Sequence, residues 1–403
     1  MNKKTISLYD FYDIIQRTVL PRKRLTRDIF NDGTTNRQED ISVLREAYAQ
    51  LGCIPERGGK KLLSIGSRII STDLGYEIEE LKRDVMYLEQ GEDALNKYLK
   101  EFHPAFDIEV EKGVAFLDDL SIRVFISDRD GTVNNYCGRY LSSLQSIYNS
   151  VFLSRFSTRV EESVLLTAAP LDDIGIVDIS INPPGLFTYA GSKGREYIDK
   201  KGEKFSFPIS AEKQDALDRL NQELSALVNN KEYEIYTYIG SGLQFKFGQT
   251  TLARQDIYSS IPADKSEALL ETVRDLIDRI DPQGATFKIE DTGKDIEIIL
   301  TVEGGSADAK DYDKGDGVRY LDQQIPLHLK RGTPLICGDT QSDLSMVKAS
   351  MEQNPQTRVI FVTQDIHLID QLKEICSRSL TVSSPDVLIT ILDKFSKGRC
   401  SYV

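Results

Sequence analysis

The sequence predicts an α/β protein: a Rossmann-like, mostly parallel sheet with an inserted α+β unit, preceded by a helical domain. Three observations lead there. From about residue 120, short apolar runs each stop at a polar group or glycine: "RVFISD" at Asp128, "SVLLT" at Thr167, "GLFTYAG" at Gly191, "TPLICGD" at Asp339 and "TRVIFVTQD" at Asp365. Runs that are apolar throughout, with helical stretches between them, read as strands buried on both faces. Between the third and fourth run, residues 209–304 alternate helix and strand signals in the order α-β-β-α-β-β. Ahead of everything, residues 1–115 carry a helical period. The expected domains are therefore 1–115, a core of 116–208 with 305–403, and an insertion of 209–304. A chain of 403 residues is long enough for that many cores.

In the N-terminal part, Ile41, Leu44, Ala47 and Leu51 repeat on one helical face. Leu74, Ile78, Leu81, Val85 and Leu88 do so again, with Thr72 or Asp73 as N-cap. Gly91 breaks that helix, and Leu95, Leu99 and Phe102 continue on another. So short a stripe favours a small helical bundle over a dimerising coiled coil. These helices are also where a protein partner or self-association is expected. The basic run "PRKRLTRD" reads as a solvated face. In the insertion, "SAEKQDALDRLNQELSALV" places Leu217, Leu220, Leu224 and Leu227 on one helix face. "YEIYTYI" and "LQFKFGQTTLARQDI" read as strands, "SEALLETVRDLIDRI" as the second helix, and "ATFKIE" and "DIEIILTV" as closing strands. "EGGSADAKDYDKGDG" leads back to the sheet through Gly304 and Gly305, with hinges expected at both crossings.

A net charge of −13 argues against a nucleic-acid partner, which needs a basic surface. Any phosphate must instead be met by a metal ion and a few placed cations. No apolar run is long enough to span a bilayer, and "MNKKTISLYDFYDII" does not read as a signal peptide. The five cysteines, at 53, 137, 337, 376 and 400, show no paired spacing, which fits reduced thiols in a cytoplasmic protein. His103, His328 and His367 are the only histidines, so acid–base work falls to carboxylates.

The chemistry is concentrated at strand ends. "VFISDRDGTVNNY" runs three apolar residues into Asp128 and Asp130, followed by a Gly131–Thr132 turn. A lone D-x-D usually marks a solvated turn. Here "CGDTQSD" places Asp339 and Asp343 after another strand, also behind a glycine. Ligands of open α/β sheets bind beyond the carboxyl ends of the strands. Paired acids on two such ends read as a hard-cation site, with magnesium the expected ion. Lys314 in "YDKGDGVRYL" opens a predicted helix.

Together these residues resemble the haloacid dehalogenase superfamily of phosphotransferases. Asp128 to Val133 matches its D-x-D-G-T motif, Thr167 its strand-end Ser/Thr, Lys314 its lysine placed after the cap, and Gly338 to Asp343 its G-D-x-x-x-D, in that order. The resemblance covers residues 120–400. It implies that Asp128 attacks phosphorus and that Asp130 protonates the leaving oxygen and then activates water. It also implies that Thr167 and Lys314 bind the phosphoryl group. Magnesium would be held by Asp128, the Asp130 carbonyl and Asp339, with Asp343 orienting this shell rather than binding the metal directly.

The inserted unit resembles the cap of trehalose-6-phosphate phosphatases and related sugar-phosphate phosphatases. Their E-x-K … H-Y-R segment is matched by "QFKFGQTTLAR", aligning Lys246 and Arg254, with Gln244 replacing the acid and no histidine. Their E-L-R strand end is matched at Glu297, and Thr167 is followed by Ala-Ala-Pro where that family has Gly-Arg. The resemblance implies that Lys246, Arg254 and Glu297 bind substrate. The plainer reading makes all three strand-surface charges. The expected activity is magnesium-dependent hydrolysis of a sugar phosphate, trehalose-6-phosphate first. A glucosylglycerol- or glycosylglycerate-type phosphate is the alternative substrate. A catalytically retired scaffold is the alternative from another class.

Overall fold

A computed structural model describes residues 5–33, 37–65, 68–118, 120–172, 174–256, 259–301, 312–325 and 327–398. The apolar runs form an eight-stranded sheet in the order Ser379–Val382, Arg358–Val362, Thr333–Gly338, Ile122–Ser127, Glu162–Leu166, Thr188–Gly191, Glu196–Ile198 and Lys204–Ser206. The first six strands are parallel. The last two turn back as an antiparallel edge that the sequence reading did not include. Side-chain alternation explains why the runs are apolar throughout. Phe125 packs on one side with Leu165, Leu335 and Cys337, while Val124 and Ile126 pack on the other with Val164 and Ile336.

Chain order explains where a ligand can bind. From Ile122–Ser127 the chain adds strands outward on one side, then returns at Thr333–Gly338 to build the other. Ser127 stands opposite both Cys337 and Leu165, so the three inner strands end level, at the switch point of the sheet.

In the N-terminal part, helices cover Leu8–Arg17, Val19–Phe30, Gln38–Gly52, Gly75–Phe102 and Phe106–Leu117. Gly91, at φ 84° and ψ 179°, interrupts the long one. Leu74 occupies its N-cap position, and the Asp73 carboxylate accepts from the Gly75 N–H at 2.7 Å. Two further readings need correction. Residues 56–72 are not helical: Glu56–Arg57, Lys60–Ile65 and Arg68–Thr72 form an antiparallel meander, with Ile6–Ser7 added in parallel. Gly58 and Gly59 both have positive φ between the paired Arg57 and Lys60, the geometry of a two-residue hairpin turn. The basic run is not wholly solvated either. Its helix packs on Ile147–Ser157, so Arg22 is turned inward, 2.6 Å from Asp84, while Arg24 and Arg27 stay exposed.

The N-terminal helices do not keep a core of their own. Leu8, Phe11, Leu44, Leu81 and Leu99 belong to the same buried cluster as Phe125 and Phe152 of the sheet domain. The insertion does have one. Helices Ala211–Val228 and Ala263–Ile280 cover one face of an antiparallel sheet ordered Leu243–Lys246, Gln249–Ala253, Asp295–Leu300, Phe287–Asp291, around Leu220, Leu252 and Val273. "YEIYTYI" is not a strand. It contains a short 3-10 turn, Glu234–Thr237, because Tyr236 and Ile239 both turn into this core, with the Tyr236 hydroxyl on the Lys265 carbonyl at 2.9 Å. The two strands come instead from "LQFK" and "QTTLA". Gly304 and Gly305 lie outside the described residues, as does Cys400. Cys137, Cys337 and Cys376 are free thiols. Among the described residues no helix is long and apolar enough to cross a membrane.

Candidate active site

Asp128 follows the central strand and extends its ladder, donating its N–H to the Cys337 carbonyl at 3.0 Å. A tight turn comes next, closed by Asn134 N–H on the Arg129 carbonyl at 2.9 Å and Gly131 N–H on the Asn134 carbonyl at 2.7 Å. Gly131 has φ 86°, and a Cβ there would sit 2.3 Å from Asp339 Oδ2. Only glycine fits both conditions. The Thr132 hydroxyl then donates to Asp339 Oδ1 at 2.9 Å, joining the two strand ends.

Lys314 opens the helix Lys314–Gln324, which is capped by reciprocal Asp313 and Asp316 contacts. Its Nζ lies 2.6 Å from Asp128 Oδ1 and 2.6 Å from Asp343 Oδ1. Asp343 is fully buried, and its second oxygen accepts from the Asp339 N–H, the Thr340 N–H and the Thr340 hydroxyl at 3.1, 3.0 and 3.0 Å. Burial works against that carboxylate, but Lys314 and these donors outweigh it and hold its pKa below the usual range. Asp128 and Asp339 go the other way. Burial pushes Asp128 up to about 6, against the pull of Lys314. Burial, with Asp128 and Asp343 alongside, pushes Asp339 up to about 8. Oxygens of the three acids lie within 4.8 Å of one another, facing one ammonium, so ionising all three leaves two negative charges in excess.

Thr167 ends the neighbouring strand, its N–H on the Ala190 carbonyl at 2.9 Å and its hydroxyl accepting from the Ala169 N–H at 3.2 Å. Asp130 does not share Lys314. The guanidinium of Arg129, itself buried, donates to Asp130 Oδ1, and the Ser143 hydroxyl donates to the same oxygen at 2.8 Å. A cavity of about 430 Å³ opens over Asp128, Asp130, Thr167, Lys314 and Asp339.

Comparison with known proteins matches the chain to one family. The model of the C-terminal domain of trehalose-6-phosphate phosphatases matches residues 125–388. The chain belongs to that family. The family's N-terminal helical bundle domain matches residues 7–106. An alpha,alpha-trehalose-phosphate synthase (UDP-forming) 1 of Aphelenchoides avenae is 30% identical over 95% of this chain, and the match takes in 35% of that protein. The chain thus spans about a third of the length of such relatives. Trehalose-phosphatases match over more of their length. That of Caenorhabditis briggsae is 30% identical, over 94% of this chain and 95% of its own, and that of Brugia malayi 27%, over 99% and 88%. Among solved structures, the C-terminal domain of the Candida albicans trehalose-6-phosphate phosphatase overlays 72% of this chain and 96% of its own, with 12% identity and a TM-score of 0.48.

In this member of the trehalose-6-phosphate phosphatase family, the inserted unit presents one sheet face to the same cavity. Gln244 and Lys246 alternate on one strand, Thr251 stands opposite Gln244, and Glu297 opposite Thr251. Burial holds the Lys246 ammonium below the usual lysine range, while Glu297 pulls the other way. Arg254 is not brought to the cavity. It lies on the opposite face, with Nε on the Ser266 hydroxyl at 3.0 Å, one NH on Asp291 at 3.1 Å and the other on Glu267. It shares the strand parity of Thr250 and Leu252, which face the cap helices. Lys193, which the sequence reading passed over, spans core and cap instead, 3.2 Å from Glu297 Oε2. Its signal is its place just past the strand Thr188–Gly191. Arg129 was missed as well, although a cation between two acids is itself a signal.

Proposed function

We propose that this chain hydrolyses a sugar phosphate, with trehalose-6-phosphate the first candidate, through an aspartyl-phosphate on Asp128. The observation that carries the reading is the single cavity in which Asp128, Asp130 and Lys314 face Lys246 and Glu297 of the cap. An Asp128 carboxylate oxygen forms a bond to phosphorus as the bond from phosphorus to the sugar oxygen breaks. Lys314, fixed on Asp128 Oδ1, and the Thr167 hydroxyl meet the charge on the phosphoryl oxygens. Asp130 gives its proton to the leaving sugar oxygen, then takes one from the water that attacks phosphorus, releasing inorganic phosphate and restoring Asp128.

The donor set fits magnesium: three clustered carboxylates offer hard oxygens that, once ionised, exceed the one ammonium by two negative charges. Asp128 and Asp339, with the main-chain carbonyl of Asp130, would hold the ion, which when bound offsets charge on the nucleophile and the phosphoryl oxygens. Both oxygens of Asp343 are occupied, so it positions Lys314. Lys246 and Glu297 suit the oxygens of the sugar that leaves. We further propose that residues 209–304 act as a specificity cap closing over this core. The complete set of acids and lysine argues against a retired scaffold. The test is phosphate release across a panel of sugar phosphates with and without magnesium. Release from trehalose-6-phosphate above the other esters is expected, and no release from any of them would sink the reading.

A further inference from the structure

We propose that Tyr76, on the first turn of the N-terminal helix Gly75–Phe102, is a positioning residue for the carboxylate of Asp130. This inference rests on the acid–base role of Asp130 given above. The segment 134–144 leaves the Asp130 turn, loops out and comes back to supply Ser143, and the first turn of that helix holds both of its arms. On the returning arm, the Tyr76 hydroxyl donates to the Leu144 carbonyl at 2.9 Å, and the Ser142 hydroxyl donates to Glu77. On the outgoing arm, Asn134 Nδ2 donates to the Tyr76 oxygen at 3.0 Å. One helical turn later, Glu80 accepts from Asn135 Nδ2 at 3.1 Å.

What the two arms carry is the immediate environment of Asp130. Ser143 donates to Asp130 Oδ1 at 2.8 Å, and Arg129 donates to that oxygen, to the Ser143 hydroxyl at 3.0 Å and to the Ser143 carbonyl. Leu144, which Tyr76 grips, is the next residue along. A phenol joined to Asn134 on one side and Leu144 on the other therefore sets the spacing of the arms, and with it the place of Ser143. Tyr76 also lines the cavity. Its hydroxyl is more than fifty residues away in sequence from either partner, so the helical domain contributes to the geometry of the acid–base group from outside the catalytic fold.

Positioning of an acid has a signature that loss of folded protein lacks. Protonation of the leaving oxygen matters for a poor leaving group and little for a good one. The experiment measures single-turnover formation of the phosphoenzyme with magnesium, in the full chain, for phenyl phosphate and p-nitrophenyl phosphate. Tyr76→Phe is expected to slow the phenyl ester by about tenfold and the p-nitrophenyl ester by less than about twofold. Ser143→Ala should steepen the dependence on leaving group in the same sense. So should Asn134→Ser, which cuts the link from the loop side and leaves the helical core intact if Tyr76→Phe folds poorly. Equal slowing of both esters in Tyr76→Phe and Asn134→Ser, or an unchanged dependence, would overturn the inference while leaving the phosphatase reading in place. A parent protein inactive on both esters and on sugar phosphates would overturn the phosphatase reading itself.

Discussion

The two walls of the cavity handle charge differently. On the sheet side every carboxylate has a fixed counterpart: Lys314 for Asp128 and Asp343, Thr132 for Asp339, Arg129 and Ser143 for Asp130. On the cap side, Glu297 is bridged by Lys193, but among the described residues no carboxylate lies within ion-pair distance of the buried Lys246. On the proposed function, the contrast separates two tasks. Groups that must hold a reacting phosphorus to a fraction of an ångström are immobilised in advance. A group that recognises a leaving group keeps its hydrogen-bonding capacity for the ligand, at the cost of burying an ammonium.

Mutations can break or sharpen this contrast. Asp128→Asn keeps the shape of the sheet wall but removes the attacking charge. Phosphate release should fall by at least about a thousandfold with the fold retained. Undiminished turnover would mean that the matched wall is not the chemical one. Lys314→Met uncovers two buried carboxylates, and removing one partner of a buried pair typically costs about 3–5 kcal/mol. Its Tm should drop sharply in EDTA and recover in part with magnesium, which binds only the folded site. Equal losses in both conditions would show that Lys314 and the cation do not share the same carboxylates.

On the cap wall, Lys246→Ala should cost the sugar phosphate about 1.5–3 kcal/mol, or roughly ten- to a hundredfold in kcat/KM, and spare p-nitrophenyl phosphate. Arg254→Ala should lower Tm and leave the ratio of the two activities unchanged. A shifted ratio in Arg254→Ala would return that residue to the substrate. A further effect concerns the network behind the sheet wall. Burial disfavours the Asp386 carboxylate, but Arg83 at 3.1 Å, with His103, Tyr148 and Asn135, more than compensates and brings its pKa down to about 2. A depressed carboxyl stabilises the fold above its unfolded value near 4 and stops doing so as pH falls through about 2, a contribution of ~2 kcal/mol at neutral pH. Acid unfolding should therefore start at higher pH in Asp386→Asn than in the parent. Superimposed acid transitions would remove Asp386 from the ledger of matched charges.

The legible parts of this protein are those written in short range. A buried strand ending in an acid carries its own signal, so Asp128, Thr167 and Asp339 could be placed on one edge from local pattern alone. What failed needed either turn chemistry or distance. The Gly58–Gly59 pair was a hairpin signal inside a stretch read as helical. Arg254 aligned with a family position, but the parity it shares with Leu252 puts it on the inner face. "YEIYTYI" has strand composition, and packing against the cap helices decided otherwise. The grip of Tyr76 on Leu144 has no local trace, because it exists only once two domains have packed.

The shared cluster that joins Leu81 and Leu99 to Phe125 and Phe152 has a consequence for how the molecule comes apart. Three sequence regions need not mean three cooperative units. Opening the N-terminal helices would strip one side of the central sheet, so amide protons in Gly75–Phe102 and Ile122–Ser127 should exchange through the same large fluctuation. The inserted sheet, closed around Leu220, Leu252 and Val273, can melt and re-form on its own. Hydrogen exchange would then report two foldons in this chain, with the boundary running through the roof of the cavity and not between the helical domain and the catalytic one.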